Sequence, residues 1–407
     1  MKVKKTMLSI KEIYKIGCGP SSSHTIGPEK ACTRFKNEYS NANSYKVILY
    51  GSLAKTGIGH GTDRVIKKTF LPIETDVVCD LITQTEHPNT MDIFAYNDGK
   101  ELGSAHILSI GGGDILYNGE NVQELSNIYI HTTFSEISEY CRKKDICLWE
   151  YVKQFESDDI WDYLLLVWEQ MKQSISNGLS DEGILPGGLE VYKKAKQLFN
   201  SQHIDETIET RENRLVCSYA FAVSEQNASG QTIVTAPTCG ASGVLPSVLL
   251  YQQKKHNFSD EKIIRALATA GIIGNIIKTN ASISGAECGC QAEIGSACAM
   301  AAAALGELFE LNIDKIEYAA EIALEHHLGL TCDPIKGLVQ IPCIERNAVA
   351  AMRAINAVNL ASLLWNTRKI SFDNIVSTMR DTGKDLLPIY RETAEGGMAK
   401  ICKAQHL

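Results

Sequence analysis

Beyond Ser135 the sequence almost stops offering strands. Ile160, Tyr163, Leu164, Val167, Trp168 and Met171 recur at the three- and four-residue spacing of a single helix face. Similar signatures predict helices over 188–200, 263–278, 291–311, 315–327, 344–364 and 372–382, separated by turns that contain glycine or proline. A stretch of this length without alternating runs can bury its apolar surface only helix against helix. That excludes a β-sandwich or barrel for this part of the chain.

The part before it reads differently. Residues 45–50 (YKVILY) form a β-rich run that stops at Gly51 and Ser52. Residues 105–110 (AHILSI) form a second, stopped by Gly111, Gly112 and Gly113. Asp63 is a candidate cap for a helix over 64–70, and Ser135 for one over 136–143. The expected architecture is an α+β domain over 1–150 followed by an all-α domain over 160–407, with the charged segment 156–159 as the boundary. A length of 407 residues suits two or three domains.

Composition narrows the function. With 40 Lys+Arg against 48 Asp+Glu the net charge is −8, and no basic block stands out, so a nucleic-acid partner is not expected. The most apolar stretch, 297–305, is about half of what a membrane span needs. Residues 1–7 carry three lysines with no apolar run behind them, so no secretory signal is expected. The 13 cysteines are an odd count in a large chain, which argues against a disulfide scaffold and for a reduced, cytoplasmic setting.

The common cofactor fingerprints are missing: no phosphate-binding P-loop, no strand–GxGxxG–helix unit, no HExxH, no paired CxxC, and no convincing lysine context for pyridoxal phosphate. Three less common segments remain. In 17–25 (GCGPSSSHT), three hydroxyls and successive backbone N–H groups precede a helix predicted over 27–39, an arrangement that can cradle a carboxylate or phosphate or simply cap the helix. In 57–63 (GIGHGTD), a glycine-spaced turn leaves His60 reachable, and an imidazole with an ordinary pKa of about 6.5 suits general-base work. Finally, Cys290, Cys332 and Cys343 all sit in glycine- or proline-marked loops at predicted helix ends, where thiolate is favoured. Three such thiolates suit either a zinc site completed by His326 or His327, or an iron–sulfur cluster with one iron lacking a protein ligand.

Eight strings follow one another along the chain: GCGPSSSHTIGP (17–28), LYGSLAKTGIGHGTD (49–63), HPNTM (87–91), SIGGG (109–113), LPGGL (185–189), TAPTCGASGVLP (235–246), SGAECGCQAEIGSAC (284–298) and EHHLGLTCDPIKGLVQIPCIERNA (325–348). With them the chain resembles the iron–sulfur-dependent L-serine dehydratases. The resemblance implies a four-iron, four-sulfur cluster on Cys290, Cys332 and Cys343, which stand 42 and then 11 residues apart. It implies L-serine as substrate, a homodimer, and a first domain like the allosteric substrate-binding domain of some phosphoglycerate dehydrogenases. His60 is then the expected base. Ser21, Ser22, Ser23 and His24 are expected to hold the substrate carboxylate, with Asn227, Thr235 and Thr238 as second-domain candidates. Cys402, near the chain's end, is a candidate tail ligand for the open iron. Glu345 and Arg346 read as structural pairs at a helix start. Cys239 and His327 stand where the family usually has Asn. Two other classes compete: a lyase of the L-cysteine desulfidase kind, and a non-catalytic serine-binding regulator.

Overall fold

The computed structural model describes residues 7–121, 127–202 and 205–404; the lysine-bearing start, 1–6, lies outside them. In chain order the first half contains β1 (Ile16–Cys18), α1 (Gly27–Glu38), β2 (Ser44–Leu49), α2 (Gly51–His60), α3 (Thr62–Phe70), β3 (Glu74–Cys79), β4 (Thr90–Asn97), β5 (Lys100–Gly111), β6 (Asp114–Tyr117) and β7 (Glu120–Asn121). The helices α4 (Phe134–Lys144), α5 (Leu148–Phe155), α6 (Ile160–Ser180), α7 (Ala195–Asn200) and α8 (Ile208–Ala228) follow, then strand β8 (Thr232–Val234). The rest is helical: α9 (Val244–His256), α10 (Asp260–Asn280), α11 (Gly285–Cys288), α12 (Ser296–Leu308), α13 (Ile313–Glu325), α14 (Cys343–Leu364), α15 (Phe372–Asp385) and α16 (Gly397–Ala404).

Six strands form one sheet in the order β3-β2-β4-β5-β6-β7, antiparallel except for the β2–β3 pair. Alternation sets its buried face: Tyr45, Val47 and Leu49 of β2 point inward and meet Phe35 of α1 and Phe70 of α3. Tyr45 stacks on Phe70 with ring centres 4.1 Å apart. The second core belongs to the helices. Ile160, Leu164, Val167, Trp168 and Met171 are all buried. At about 1.5–3 kcal/mol per large side chain, this face, rather than helix propensity, holds α6 in place.

Packing divides the chain differently from the sequence expectation of 1–150 and 160–407. Met7, Ile10, Ile13, Tyr14, Phe134, Ile137, Leu148 and Tyr151 belong to the helical core. Glu156, read as part of a charged boundary, is buried and accepts hydrogen bonds from Ile10 N (2.8 Å), Ser9 Oγ (2.8 Å) and Tyr129 OH (2.7 Å). It fastens the chain's beginning to α5. Strands β1 and β8 pair antiparallel, Ile16 opposite Val234, and tie the entry of the sheet half to the helical half. Asp114 of β6 bonds both Lys15 and Lys278 of α10, a second tie between the halves.

The expected turn at 57–63 is instead the junction of two helices. His60 is the last residue of α2, and Gly61, at φ 73°, ends that helix and caps α3. Glycine inside a helix costs about 1 kcal/mol, yet a Cβ on Gly59 would lie 2.6 Å from Lys336 O. Close backbone approach outweighs propensity there. The helix expected over 188–200 shrinks to Ala195–Asn200, because Gly187 and Gly188 take positive φ and Ile184 bridges Tyr192 instead. No helix among the described residues is long and apolar enough to cross a membrane.

Candidate active site

Cys290, Cys332 and Cys343 come from three places in the helical half. Cys290 precedes a single π-turn (Gln291–Gly295) that runs into α12, and Cys343 opens α14. Cys332 departs from the expected helix end: it lies in extended backbone whose N donates to Tyr390 O (2.8 Å) and whose O accepts from Glu392 N (2.7 Å). All three line one small cavity of about 20 Å³, room for about one water. Ser21, His60, Glu293 and Glu392 line it too. The donor atoms of Cys290, Glu293 and Cys332 all lie within 4.8 Å of one another. A Cβ on Gly285 would stand 2.8 Å from Glu293 Oε2 and 3.2 Å from Cys332 Sγ, so only glycine lets this loop close over the thiols.

Thiols and carboxyls crowd the cavity with one guanidinium beside them. Cys332 is pushed well above the ordinary thiol range by its hydrogen bond to Cys290 and by burial. Burial, with Cys290 next, does the same to Cys343. Burial also raises the Glu293 carboxyl, against hydrogen bonds from Thr238 and Cys290. Arg346 is raised although burial works against it, because Cys290, Cys343 and Cys332 lie beside it. Its guanidinium donates to Thr331 O (2.7 Å) and lies 3.8 Å from Asp333. Three soft donors, none in a disulfide, with an arginine against them, have the donor chemistry of a metal site. The histidines expected to complete a zinc site stand away from it: His326 and His327 turn Nδ1 to Ile322 O (2.8 Å) and Ala323 O (2.7 Å) and are not among the cavity's lining residues.

The sheet half supplies the imidazoles. His60 is buried rather than reachable, yet it lines both the thiol cavity and an open cleft of about 580 Å³ that also includes Lys55, Arg64 and Lys336. It is the wall between the two. His60 Nδ1 lies 3.0 Å from Thr56 O, a pure acceptor, so that nitrogen carries the proton and Nε2 keeps a lone pair. Burial lowers its pKa to about 4. His24 stacks on it, centroids 4.2 Å apart. Its Nε2 meets Thr56 Oγ1 (2.9 Å) and Ser52 Oγ (3.3 Å), whose own protons go to Ser52 O (2.9 Å) and Glu392 O (2.7 Å). His24 therefore donates from Nε2, and Nδ1 accepts from Ser23 Oγ (3.0 Å) or Ser21 Oγ (3.3 Å). Burial, and next His60, hold His24 well below the ordinary imidazole pKa.

The remaining expected residues separate into near and far. Ser21 lines the cavity and caps the π-turn Ser22–Ile26, its Oγ accepting from His24 N. Ser22 is buried behind it, at the first position of that turn. Thr238 reaches the cavity through Glu293, to which its hydroxyl donates (2.8 Å). Asn227 supports the 17–20 loop from below, donating to Pro20 O (2.9 Å). Thr235 is committed elsewhere: it donates to Ile13 O (2.8 Å) and accepts from Lys15 N (2.8 Å). Cys402 is buried on α16, whose first turn is held where Met398 N donates to Asp333 Oδ2 (2.8 Å), but it is not among the lining residues. Glu392 and Glu293 were not read from the sequence. Each is one glutamate in a polar or small-residue run, and nothing local marks it.

Comparison with known proteins agrees with this picture. Residues 77–399 match the serine dehydratase alpha chain family, and residues 9–70 match the serine dehydratase beta chain family. The chain is 37% identical to an L-serine dehydratase of Haemophilus influenzae and 37% identical to L-serine dehydratase 1 of Escherichia coli. It is 38% identical to an L-serine dehydratase of Helicobacter pylori; in all three cases 97% of this chain and 99% of the relative are covered. Cavity and comparisons together identify an enzyme of the L-serine dehydratase kind, and the chain belongs to the serine dehydratase family with the alpha-chain and beta-chain regions joined in one polypeptide.

Proposed function

We propose that this enzyme converts L-serine to pyruvate and ammonia, with Cys290, Cys332 and Cys343 holding a four-iron, four-sulfur cluster and His60 acting as base. The observation that carries the reading is that three thiols from one half and an imidazole from the other meet at the same cavity. When bound, such a cluster supplies Lewis acidity that helps hydroxide leave Cβ. The protein's own residues do the rest. His60, neutral at physiological pH with its lone pair on Nε2, removes the Cα proton. The Cβ–O bond breaks, 2-aminoacrylate forms, and its tautomer hydrolyses to pyruvate and ammonia. Ser21 and the backbone N–H groups of the turn behind it are placed to hold the substrate carboxylate, while Ser22, Ser23 and His24 fix that turn. Thr238 orients Glu293, and Asn227 and Thr235 secure the loops. The homodimer and cytoplasmic location belong to the same proposal; the first rests on the family resemblance and the second on the odd cysteine count of a large chain.

One anaerobic purification tests it. The protein should be brown, contain about four irons per chain, and form pyruvate from L-serine without added pyridoxal phosphate. A colourless, iron-free protein with full activity would overturn the cofactor and the mechanism together.

A further inference from the structure

One corner of the cavity gathers acceptors that outnumber its donors. His60 Nε2 presents a lone pair, His24 Nδ1 already accepts from Ser23 or Ser21, and Glu392 Oε1 stands 3.6 Å from each nitrogen, too far for a hydrogen bond. Glu392 Oε2 has no hydrogen-bond partner, the residue is 5% exposed, and no Lys or Arg among the described residues pairs with it. The carboxyl cannot simply swing out to water. Its backbone is pinned on both sides, N donating to Cys332 O (2.7 Å) and O accepting from Ser52 Oγ (2.7 Å). Burial, then Glu293 and Cys290, push the Glu392 carboxyl well above the ordinary range against one backbone hydrogen bond from Ala286, so the group stays protonated unless a cation joins it.

A partner that suits this corner is small, positive and rich in donors, because Glu392 Oε2 and His60 Nε2 are both left without one. An α-ammonium group has one positive charge and three N–H bonds. We propose that Glu392 receives the α-ammonium of the substrate and is the residue by which the site selects α-amino acids over acids of the same shape that lack the amino group. The inference rests on the deamination reading above. It also explains the geometry of that reading: an ammonium held at Oε2 places the adjoining Cα–H beside His60, whose Nε2 is already the neighbour of Oε1. No bond is made or broken in this step, so Glu392 acts by positioning and charge.

The test uses the full chain, purified anaerobically with its iron, as wild type, Glu392→Gln and Glu392→Asp. Iron content and absorbance are recorded first. Equilibrium dialysis then gives dissociation constants for L-alanine, which keeps the ammonium but has no hydroxyl to lose, and for 3-hydroxypropanoate, which keeps the hydroxyl and lacks the ammonium. KM and kcat for L-serine are measured alongside. The expected result for Glu392→Gln is unchanged iron, a loss of about 10–100-fold in L-alanine affinity with KM for serine rising in step, and 3-hydroxypropanoate affinity within about threefold of wild type. Glu392→Asp, which keeps the charge, should recover part of the loss. Equal weakening of both ligands would make Glu392 a structural residue and overturn the proposal, as would unchanged L-alanine binding. So would a non-cluster metal ion at one per chain, since His24, His60 and Glu392 could also hold a metal. If the Gln variant does not hold iron, wild type decides: a preference of less than about threefold for L-alanine over 3-hydroxypropanoate overturns the idea. Wild type that binds L-alanine selectively but never deaminates serine would instead sink the proposed function and leave the ammonium site standing.

Discussion

The two halves of the molecule bury polar residues for opposite reasons. In the sheet half, β2 alternates buried and half-buried positions, and the inner positions are apolar. The hydroxyls and imidazoles it hides cluster at one place, the stretch from Ser21 to Thr25 together with Ser52, Thr56 and His60. In the helical half, polar side chains are buried throughout: Ser224, Glu225, Gln226 and Asn227 on α8, Thr269 and Asn275 on α10, Glu317 and Glu321 on α13. There they knit helices together, as when Asn347 donates to Gly240 O (2.7 Å) and to Cys343 O (2.8 Å). The difference teaches a division of labour. Under the proposed function, the buried helical half suits thiolates that hold a metal, and the sheet half contributes the base at the end of α2.

The largest effect should come from breaking the helical side of that division. Replacing Cys290, Cys332 or Cys343 by Ser exchanges a soft thiolate for a hydroxyl that rarely ionises. Each single variant is expected to lose its iron and all measurable pyruvate formation. Cys79→Ser in the sheet half and Cys141→Ser in the helical half should keep both, because neither residue lines the cavity. Iron analysis and the visible spectrum of anaerobic samples read the outcome directly.

The sheet side is tested by His60→Ala. Removing a general base typically costs about 10²–10⁴-fold in turnover, and iron should stay at the wild-type level. If the iron is lost with the activity, the halves do not act separately and the division fails.

How far the sequence carried depends on the same contrast. Helix α6 was legible because only one side of it is buried, which leaves the 3.6-residue rhythm visible. Helices α8 and α9 went unread. On α9 every residue from Val244 to Gln252 is buried, and on α8 the inner face includes serines, Glu225 and Asn227, so neither shows a clean stripe. Strands β3 and β4 also went unread: ETDVVC lies at the sheet edge with no fully buried position, and TMDIFAYN mixes an acid and an amide into its run. In the site, the cysteines and His60 stood out through the family's strings. Glu392 could not, because what buries it is a contact with Ser52 across 340 residues of chain. Long-range closure of that kind leaves no local trace.

A third experiment addresses the tie between the halves. Asp114 from the sheet bonds Lys15 and Lys278, and although burial raises its pKa, Lys278 and Lys15 pull it down to about 2. Asp114→Asn would leave Lys278 without its carboxylate and Lys15 with Glu12 alone (3.1 Å), a break whose upper bound is about 3–5 kcal/mol, the figure typical of a fully buried pair. Urea unfolding at neutral pH should show a loss within that bound. The sign with pH follows from the depressed pKa: the contribution is present above the ordinary Asp pKa of about 4 and is lost as pH falls toward about 2. Wild type should therefore shed stability across that window, while Asp114→Asn should shed less.

The smallest effect concerns the far end of the helical half. Cys402 is buried on α16, and the helix is anchored beside the cluster ligands, with Met398 N on Asp333 and Asp333 next to Cys332. Proximity of that kind invites the reading that the tail thiol reaches the open iron. The described residues around the thiol cavity come from 20–21, 60, 240, 290–294, 332–343 and 392, and Cys402 is not one of them. Cys402→Ser is therefore expected to leave iron content and spectrum unchanged and to alter turnover and KM for L-serine by less than about threefold, the scale of an ordinary change away from a site. The measurement that would reverse this is a difference spectrum. If L-serine shifts the wild-type cluster absorbance and the Cys402→Ser protein already shows the shifted form without serine, the tail thiol does occupy the iron, and the last helix joins the site.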